Sequence, residues 1–331
     1  MPPRPANLYS LLADIGGTNT RVALAEGTRL LPDTIRRYCN ADYPGLETVL
    51  GTYLADEGNP DCAGACVAVA GPVRDGAATL TNLDWTIDLA TVARAARAEK
   101  VSILNDLQAQ GYALGHLPAA SLRPIVEGPA PRPDATRLVI GVGTGFNCAP
   151  VYETAAGRFV PPAEAGHANL PIRTEEELEL CRELETAHGF PAIEDVLSGR
   201  GLSHVYAWRA RRAGAPAELS GAQIMQAAEA GQDPIATDTI RFFVRILGTV
   251  TGNLSLIHLP FGGVFLVGGV ARAVTPWLGR MGYGDAMRDK GRFAGFMKNF
   301  AVTVIEDDYA ALTGCAHHLA NLRSIVPTAR R

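Results

Sequence analysis

Asp14, Gly16, Gly17, Thr18 and Asn19 lie in one short turn that follows the apolar run Leu11-Leu12-Ala13. Paired glycines let backbone N–H groups approach an anion closely and point at it. The Thr18 hydroxyl adds a donor. Asp14 would repel a bare phosphate, so a divalent cation between carboxylate and anion fits the pattern. A plain glycine-turn hairpin is the alternative. A Walker A loop is excluded, because no Gly-Lys-Ser/Thr follows. The usual dinucleotide fingerprint is excluded too, since Thr20 to Ala25 reads as a strand and not a helix.

Two further glycine turns end apolar runs: Gly143-Thr144-Gly145 and Gly268-Gly269. Such turns at strand ends form a nucleotide crevice. Phosphoryl transfer also needs an acceptor and a base. Asp106 ends the apolar run Val101 to Leu104, where active-site carboxylates collect in α/β sheets. A carboxylate there takes a hydroxyl proton as the P–O bond forms. Alternatively, Asp106 caps the helical run Leu107 to Leu114. Glu164 and His167, in Glu164-Ala165-Gly166-His167, offer an acceptor and a donor suited to vicinal hydroxyls. A solvated loop is the plainer reading. Glu194 adds a third acceptor, or simply favours a helix start.

These residues need elements to hold them. The first third alternates strands and helices. A third strand is predicted near Thr34 to Tyr38, a helix over Pro44 to Ala55 and a strand over Ala65 to Val69. A helix over Leu89 to Ala98 follows. Arg123 to Thr136, with Pro124, Pro129, Pro131 and Pro133, reads as a surface connection. Arg137 to Val142, the Gly143 turn and Cys148 to Tyr152 then repeat the opening hairpin, which predicts two related half-structures. Later, Thr174 to Glu177 forms a capping box and Gly189 ends that helix. A long helix spans Thr237 to Leu259. The strands Gly263 to Val267 and Val302 to Ile305 precede a last helix, Ala310 to Leu322. The tail beyond Ser324 is expected to be loose.

The chain has 331 residues, enough for roughly two domains. Hydrophobic residues make up 47% and charged residues 19%, which excludes a disordered chain. The net charge of −4 leaves no electrostatic footprint for nucleic acid. No apolar run approaches the roughly 20 residues of a membrane span, and Met1 to Asn7 carries no signal-peptide core. A soluble cytoplasmic protein is expected. Cys39, Cys62, Cys66, Cys148, Cys181 and Cys315 are scattered and read as free thiols.

Together the motifs carry a resemblance over nearly the whole chain. They are Asp14-Ile15-Gly16-Gly17-Thr18-Asn19, Ala70-Gly71-Pro72, Thr81-Asn82 with Trp85, Asn105-Asp106, Gly143-Thr144-Gly145, Glu164 to His167, Val196-Leu197-Ser198-Gly199, and Gly262-Gly263-Val264-Phe265 through Gly268-Gly269. In that order they resemble the bacterial glucokinase family, in its Escherichia-type branch. The resemblance implies the hexokinase/actin-like ATPase (ribonuclease H-like) fold. That fold has a small α/β domain, a larger α+β domain and a cleft between them. The small domain would take residues 1–110 plus 306–331, and the large domain 111–305.

It further implies ATP-dependent phosphorylation of D-glucose at the 6-hydroxyl. Asp14 and Gly16 to Asn19 match the first phosphate loop, Gly143 to Gly145 the second, and Gly268-Gly269 the adenosine-side turn. Asp14 would hold Mg²⁺ through water in the family pattern. Asn105, Asp106, Glu164, His167 and Glu194 match the sugar-binding residues, with Asp106 as base. A homodimer is implied, with glucose and ATP as ligands and neither nucleic acid nor membrane as partner. Ala168-Asn169-Leu170-Pro171 follows His167 in place of a Cys-rich motif, so no structural zinc is implied.

Two positions depart from the family pattern. Asn147 stands where the second phosphate loop usually has Gly, and Ala165 replaces a usual Gly. Asn tolerates positive φ better than most residues, which would preserve the turn. The Ala165 methyl would shift the backbone of the sugar loop. A kinase for mannose, fructose or an amino sugar therefore stays open, as does a silent sugar or nucleotide sensor. An actin-like filament protein would not need the Asn-Asp, Glu-His and Glu set.

Overall fold

In the strand Tyr9–Ile15 every residue except Asp14 is buried. It pairs antiparallel with Asn19–Glu26 and parallel with Cys62–Val69, which pairs parallel with Lys100–Asn105. Near-continuous apolar strands suit a parallel sheet covered on both faces. The computed structural model describes residues 8–80, 83 and 85–324. Met1 to Asn7, Thr81-Asn82 and the tail beyond Ser324 lie outside the described residues.

The chain divides into two units. The first takes Met1–Pro118, Ala156–Pro162 and Asp307–Arg331, the second Ala119–Ala155 and Ala163–Glu306. Inside the first, the helix Leu46–Asp56 buries Leu46, Val49, Leu50, Tyr53 and Leu54. It starts after Pro44 because Gly45 occupies the N-cap. The expected third strand is split. Pro32–Thr34 forms a 3₁₀ turn, tied by Thr34 to Leu31 and Leu24, and the strand follows at Arg36–Cys39. The helix Leu89–Ala96 starts at its Asp88 cap and stops short of Ala98, because Arg97 turns left-handed. Leu89, its first residue, is 41% exposed.

Three contacts fix the helix Asp106–Ala113 within the first unit. Arg158 donates to the carbonyls of Gly111, Tyr112 and Leu114 at its C-terminal end, at 3.1, 3.0 and 2.6 Å. Gln108 Nε2 donates to Val160 O at 2.7 Å. The helix Ala310–Ser324 lies so close at Gly314 that a Cβ there would collide with the Ala109 carbonyl.

In the second unit the strands run in the order Leu122–Val126, Val302–Ile305, Val264–Val267, Arg137–Val142, Phe146–Thr154. Arg137–Val142 again has an antiparallel partner on one side and a parallel one on the other. The repeat read from the glycine turns is therefore a repeat of topology. Leu122–Val126 falls in the stretch expected to be irregular. Pro124 is tolerated there because the strand lies at a sheet edge, and its register slips between Pro124 and Val126.

The long helix runs Pro234–His258, capped by Asp233, whose carboxylate accepts from the Ile235 and Ala236 amides. It is long and apolar enough to cross a membrane, contrary to the expectation of no such run, but 72% of its apolar window is buried in this unit. Ile257, near its C-terminal end, is 69% exposed. Helices Gly199–Arg212, Gly221–Glu229 and Gly269–Leu278 are not among the expected elements, although Ser198 and Ser220 cap the first two. Each opens on glycine, which weakens local helix preference.

Candidate active site

Register sets the first unit's site. Ile15, Val69 and Asn105 end three neighbouring strands in line. The Gly16 turn and the Asn105-Asp106 pair therefore emerge at the same end of the sheet, where ligands of open α/β sheets bind. The turn closes with the Gly16 amide donating to Asn19 O at 3.0 Å. Buried Asn40 braces it. Its Nδ2 donates to Gly16 O at 2.8 Å, its amide to Thr18 O at 2.9 Å, and its Oδ1 accepts from Thr20 at 2.8 Å. Gly16 and Gly17 are half-buried and Thr18 is exposed, so the turn has a solvent-facing side.

Asp14 sits beneath this turn, 3.3 Å from the Arg21 guanidinium. Burial pushes its carboxyl above the ordinary carboxylate range, and Arg21 pulls against that. Asn105, not Asp106, is the N-cap of the next helix. Its Oδ1 accepts from Leu107 at 3.0 Å, while Gln108 returns a bond to the Asn105 amide. Its Nδ2 donates to Gly71 O at 3.1 Å, which brings in the Ala70-Gly71-Pro72 segment. Asp106 is the first helical residue, half-buried, with its Oδ1 accepting the Leu107 amide at 2.8 Å. The capping duty weighed for Asp106 thus falls on its neighbour. A carboxylate has about four lone-pair sites, more than the Leu107 amide uses.

In the second unit, parallel pairing of Gly141 with Val267 sets the Gly143 turn beside Gly268. Gly268 has φ +103°, and a Cβ there would lie 2.5 Å from Val142 O. Only glycine fits. It opens the helix Gly269–Leu278. The Gly143 amide donates to Gly145 O at 2.9 Å, and Gly143 O accepts the amide of Gly199, first residue of another helix, at 2.9 Å. Two helix N-termini thus flank a glycine turn, with exposed Thr144 at its tip. Helix N-termini favour phosphate.

The acidic residues lie against the same hairpin. Glu194 Oε2 accepts the Phe146 amide at 2.9 Å, and its Oε1 lies 3.3 Å from Arg200. Glu164 precedes a 3₁₀ turn, Ala165–His167, that returns the His167 amide to Glu164 O at 3.2 Å. Both Glu164 and His167 are exposed. Loss of hydration raises the Glu164 carboxyl above its ordinary value; His167 opposes this and the nearby Glu194 charge adds to it. The second unit therefore gathers Glu164, His167, Glu194 and the Gly143 turn. Ala165 opens the 3₁₀ turn and is not among the described residues with positive φ. The crowded position is Gly166, where a Cβ would collide with Phe146 O.

Comparison with known proteins decides the family. A family model described as Glucokinase matches residues 11–322. The chain belongs to the glucokinase family. It is 32% identical to a glucokinase of Chromobacterium violaceum over 94% of this chain and 89% of that one. A solved glucokinase from an Antarctic psychrotroph superposes with TM-score 0.83 at 30% identity, over 95% of this chain and 99% of the other. The fold is also that of a Balamuthia mandrillaris glucokinase solved with glucose, with TM-score 0.79 and 22% identity over 94% and 93% of the two chains. The chain is thus a sugar-phosphorylating enzyme with the actin-like ATPase fold.

Three residues of the site escape local reading. Asn40 and Arg158 act on segments far away in sequence. Asn147 was expected to need positive φ; it instead lies in the strand Phe146–Thr154 and is not among the described positive-φ residues. Its side chain works on the Glu164 loop. Among the described residues no group of three or more His, Cys, Asp or Glu side chains could hold a metal alone.

Proposed function

We propose that the enzyme transfers the γ-phosphoryl group of ATP to the 6-hydroxyl of D-glucose, with Asp106 as general base. The observation that carries this reading is the placement of Asp106 at a strand end beside the Gly16 turn, held by the Asn105 capping box. The acceptor O–H gives its proton to the Asp106 carboxylate. Its oxygen bonds to the γ-phosphorus as the bond to the bridging oxygen breaks, and ADP leaves. Asn105, Glu164, His167 and Glu194 bind sugar hydroxyls. Gly16 to Asn19 and Gly143 to Gly145 receive the phosphates through backbone amides, and Gly268-Gly269 takes the adenosine side. Glucose bound to the Balamuthia relative supports the choice of sugar.

The donor set fits Mg²⁺ held mainly by the triphosphate and water, a mode that needs one or two carboxylates. Asp14 is the carboxylate beneath the phosphate turn, and its raised carboxyl is that of a group whose Arg21 partner does not offset its loss of hydration. Bound there, the cation would neutralise charge on the β- and γ-phosphates. The free cysteines fit a reducing cytoplasm.

A coupled assay with ATP and a panel of hexoses tests the reading, alongside Asp106→Ala. The variant is expected to fold, to bind glucose, and to lose at least the roughly 10²-fold in kcat that a general base contributes. Near-normal turnover would sink the assignment.

A further inference from the structure

The Asn147 side chain makes four contacts, and three of them gather consecutive residues of one loop. Its Oδ1 accepts from the Ala165 amide at 3.0 Å and from the Cys148 amide at 2.8 Å. Its Nδ2 donates to Ala163 O at 2.5 Å and faces Glu164 Oε2 at 3.4 Å. The orientation of the amide is determined by chemistry. Both groups on one side are N–H donors, so the oxygen must face them. Both groups on the other side are acceptors, so the NH₂ must face those. The neighbouring residue completes the pattern, because the Phe146 amide holds Glu194. Two successive residues of the second glycine hairpin therefore grip the two carboxylates assigned to the sugar.

We infer that Asn147 is a positioning residue that fixes the Glu164 loop and so sets hexose affinity and selectivity. The inference rests on the proposed sugar role of Glu164. Without the side chain, the amide of Ala165 and the carbonyl of Ala163 lose their partner, and Glu164 loses its one donor on the hairpin. The loop then samples more conformations before sugar binds, which weakens binding without touching the transferred phosphoryl group. A carboxylate at the same position does more harm. It keeps the acceptor for Ala165 but sets negative charge against Ala163 O and Glu164. Loss of hydration and the Glu194 charge already work against the Glu164 charge, with His167 pulling the other way.

Asn147→Ala and Asn147→Asp separate these effects. Asn147→Ala is expected to raise the glucose KM several-fold at every pH, in line with a lost hydrogen bond, and to speed hydrogen exchange at the Ala165 amide. Asn147→Asp is expected to keep that amide protected but to raise the glucose KM about tenfold or more at pH 8. Two facing carboxylates share a proton once the pH is low enough, because one carboxyl is raised by the other. The KM ratio of Asn147→Asp to wild type therefore falls as pH drops from 8 toward 5.5, while that of Asn147→Ala stays flat. The ATP KM stays within about twofold in both. A glucose KM within twofold of wild type in both variants, or a pH-independent effect of Asn147→Asp, overturns the inference. Wild-type turnover on the hexose panel separates the two failures. If wild type phosphorylates no hexose, the functional reading fails. Unchanged Ala165 exchange in Asn147→Ala then still refutes the clamp.

Discussion

The two glycine hairpins share a topology but are braced by residues of different kinds. In the first unit the brace is Asn40, a buried neutral amide whose side chain bonds to the turn and its strand. In the second unit the brace is Glu194, a charged residue that the proposed chemistry also needs for sugar. The first hairpin carries a carboxylate at its base, Asp14, and the second carries none at the matching strand end, Gly141-Val142. The comparison teaches how one topology divides a reaction. On the proposed reading, the first hairpin grips phosphate with its own support, while the second is held by a residue assigned to the acceptor. A disturbance of the first hairpin should therefore read out on ATP alone. A disturbance of the second should read out on both substrates.

Among changes to the two hairpins, the largest effect is expected for Asp14→Asn. If Asp14 holds the proposed cation through water, its loss costs about 10–100-fold in kcat/KM. Stability should move the other way. The Asp14 carboxyl titrates higher in the folded chain than in the unfolded one, so the folded state holds its proton more tightly. Stability then declines as pH rises from about 3.9 through the raised folded value, and the penalty is fully present above it. Asp14→Asn removes that penalty and leaves Arg21 28% exposed and hydrated. Its Tm at pH 7.5 should exceed that of wild type, and the gap should narrow toward pH 4. A lower Tm at pH 7.5 would show that the Arg21 pair outweighs burial.

What was legible in the sequence follows from how local each determinant is. The three glycine turns, the capping box at Thr174 and the last helix depend on residues within a few positions of one another. The braces do not. Asn40 reaches Gly16 across 24 residues, and Arg158 reaches the end of the Asp106 helix across 44 to 47. No spacing rule couples such pairs. Asp106 shows the same limit at short range. Its position at a strand end was readable, but the cap belongs to Asn105, because only one of two adjacent polar residues can take the extended backbone of that position. Asn147 was misread for a related reason. A departure in a glycine motif invited a backbone argument, whereas the residue acts through its side chain on a loop 16 to 18 residues away.

A matched pair of glycine substitutions gives the middle effect. In Gly16→Ala the new methyl meets only Asn19 O at 3.5 Å, an ordinary contact, and the position needs no positive φ. Its ATP and glucose KM values should stay within about twofold of wild type. In Gly145→Ala the methyl collides with Glu194 Oε2, which must leave the Phe146 amide. Both KM values should then rise, by about tenfold for the loss of a hydrogen bond to a charged acceptor. Equal tolerance at the two positions would erase the proposed difference between the hairpins.

The smallest effect separates the braces themselves. Asn40→Ala leaves the Gly16 carbonyl and the Thr20 hydroxyl without their buried partner, at a cost of about 1–3 kcal/mol in unfolding free energy. Because Asn40 carries no proposed substrate contact, the ATP KM should rise a few-fold and the glucose KM should hold. Glu194→Ala should raise both. Chemical denaturation paired with initial rates on each substrate measures this directly. If Asn40→Ala shifted the glucose KM as much as the ATP KM, the first hairpin would not be an independent grip. Its geometry would then be felt at the acceptor through the neighbouring strand ends at Val69 and Asn105, which lie in register with Ile15.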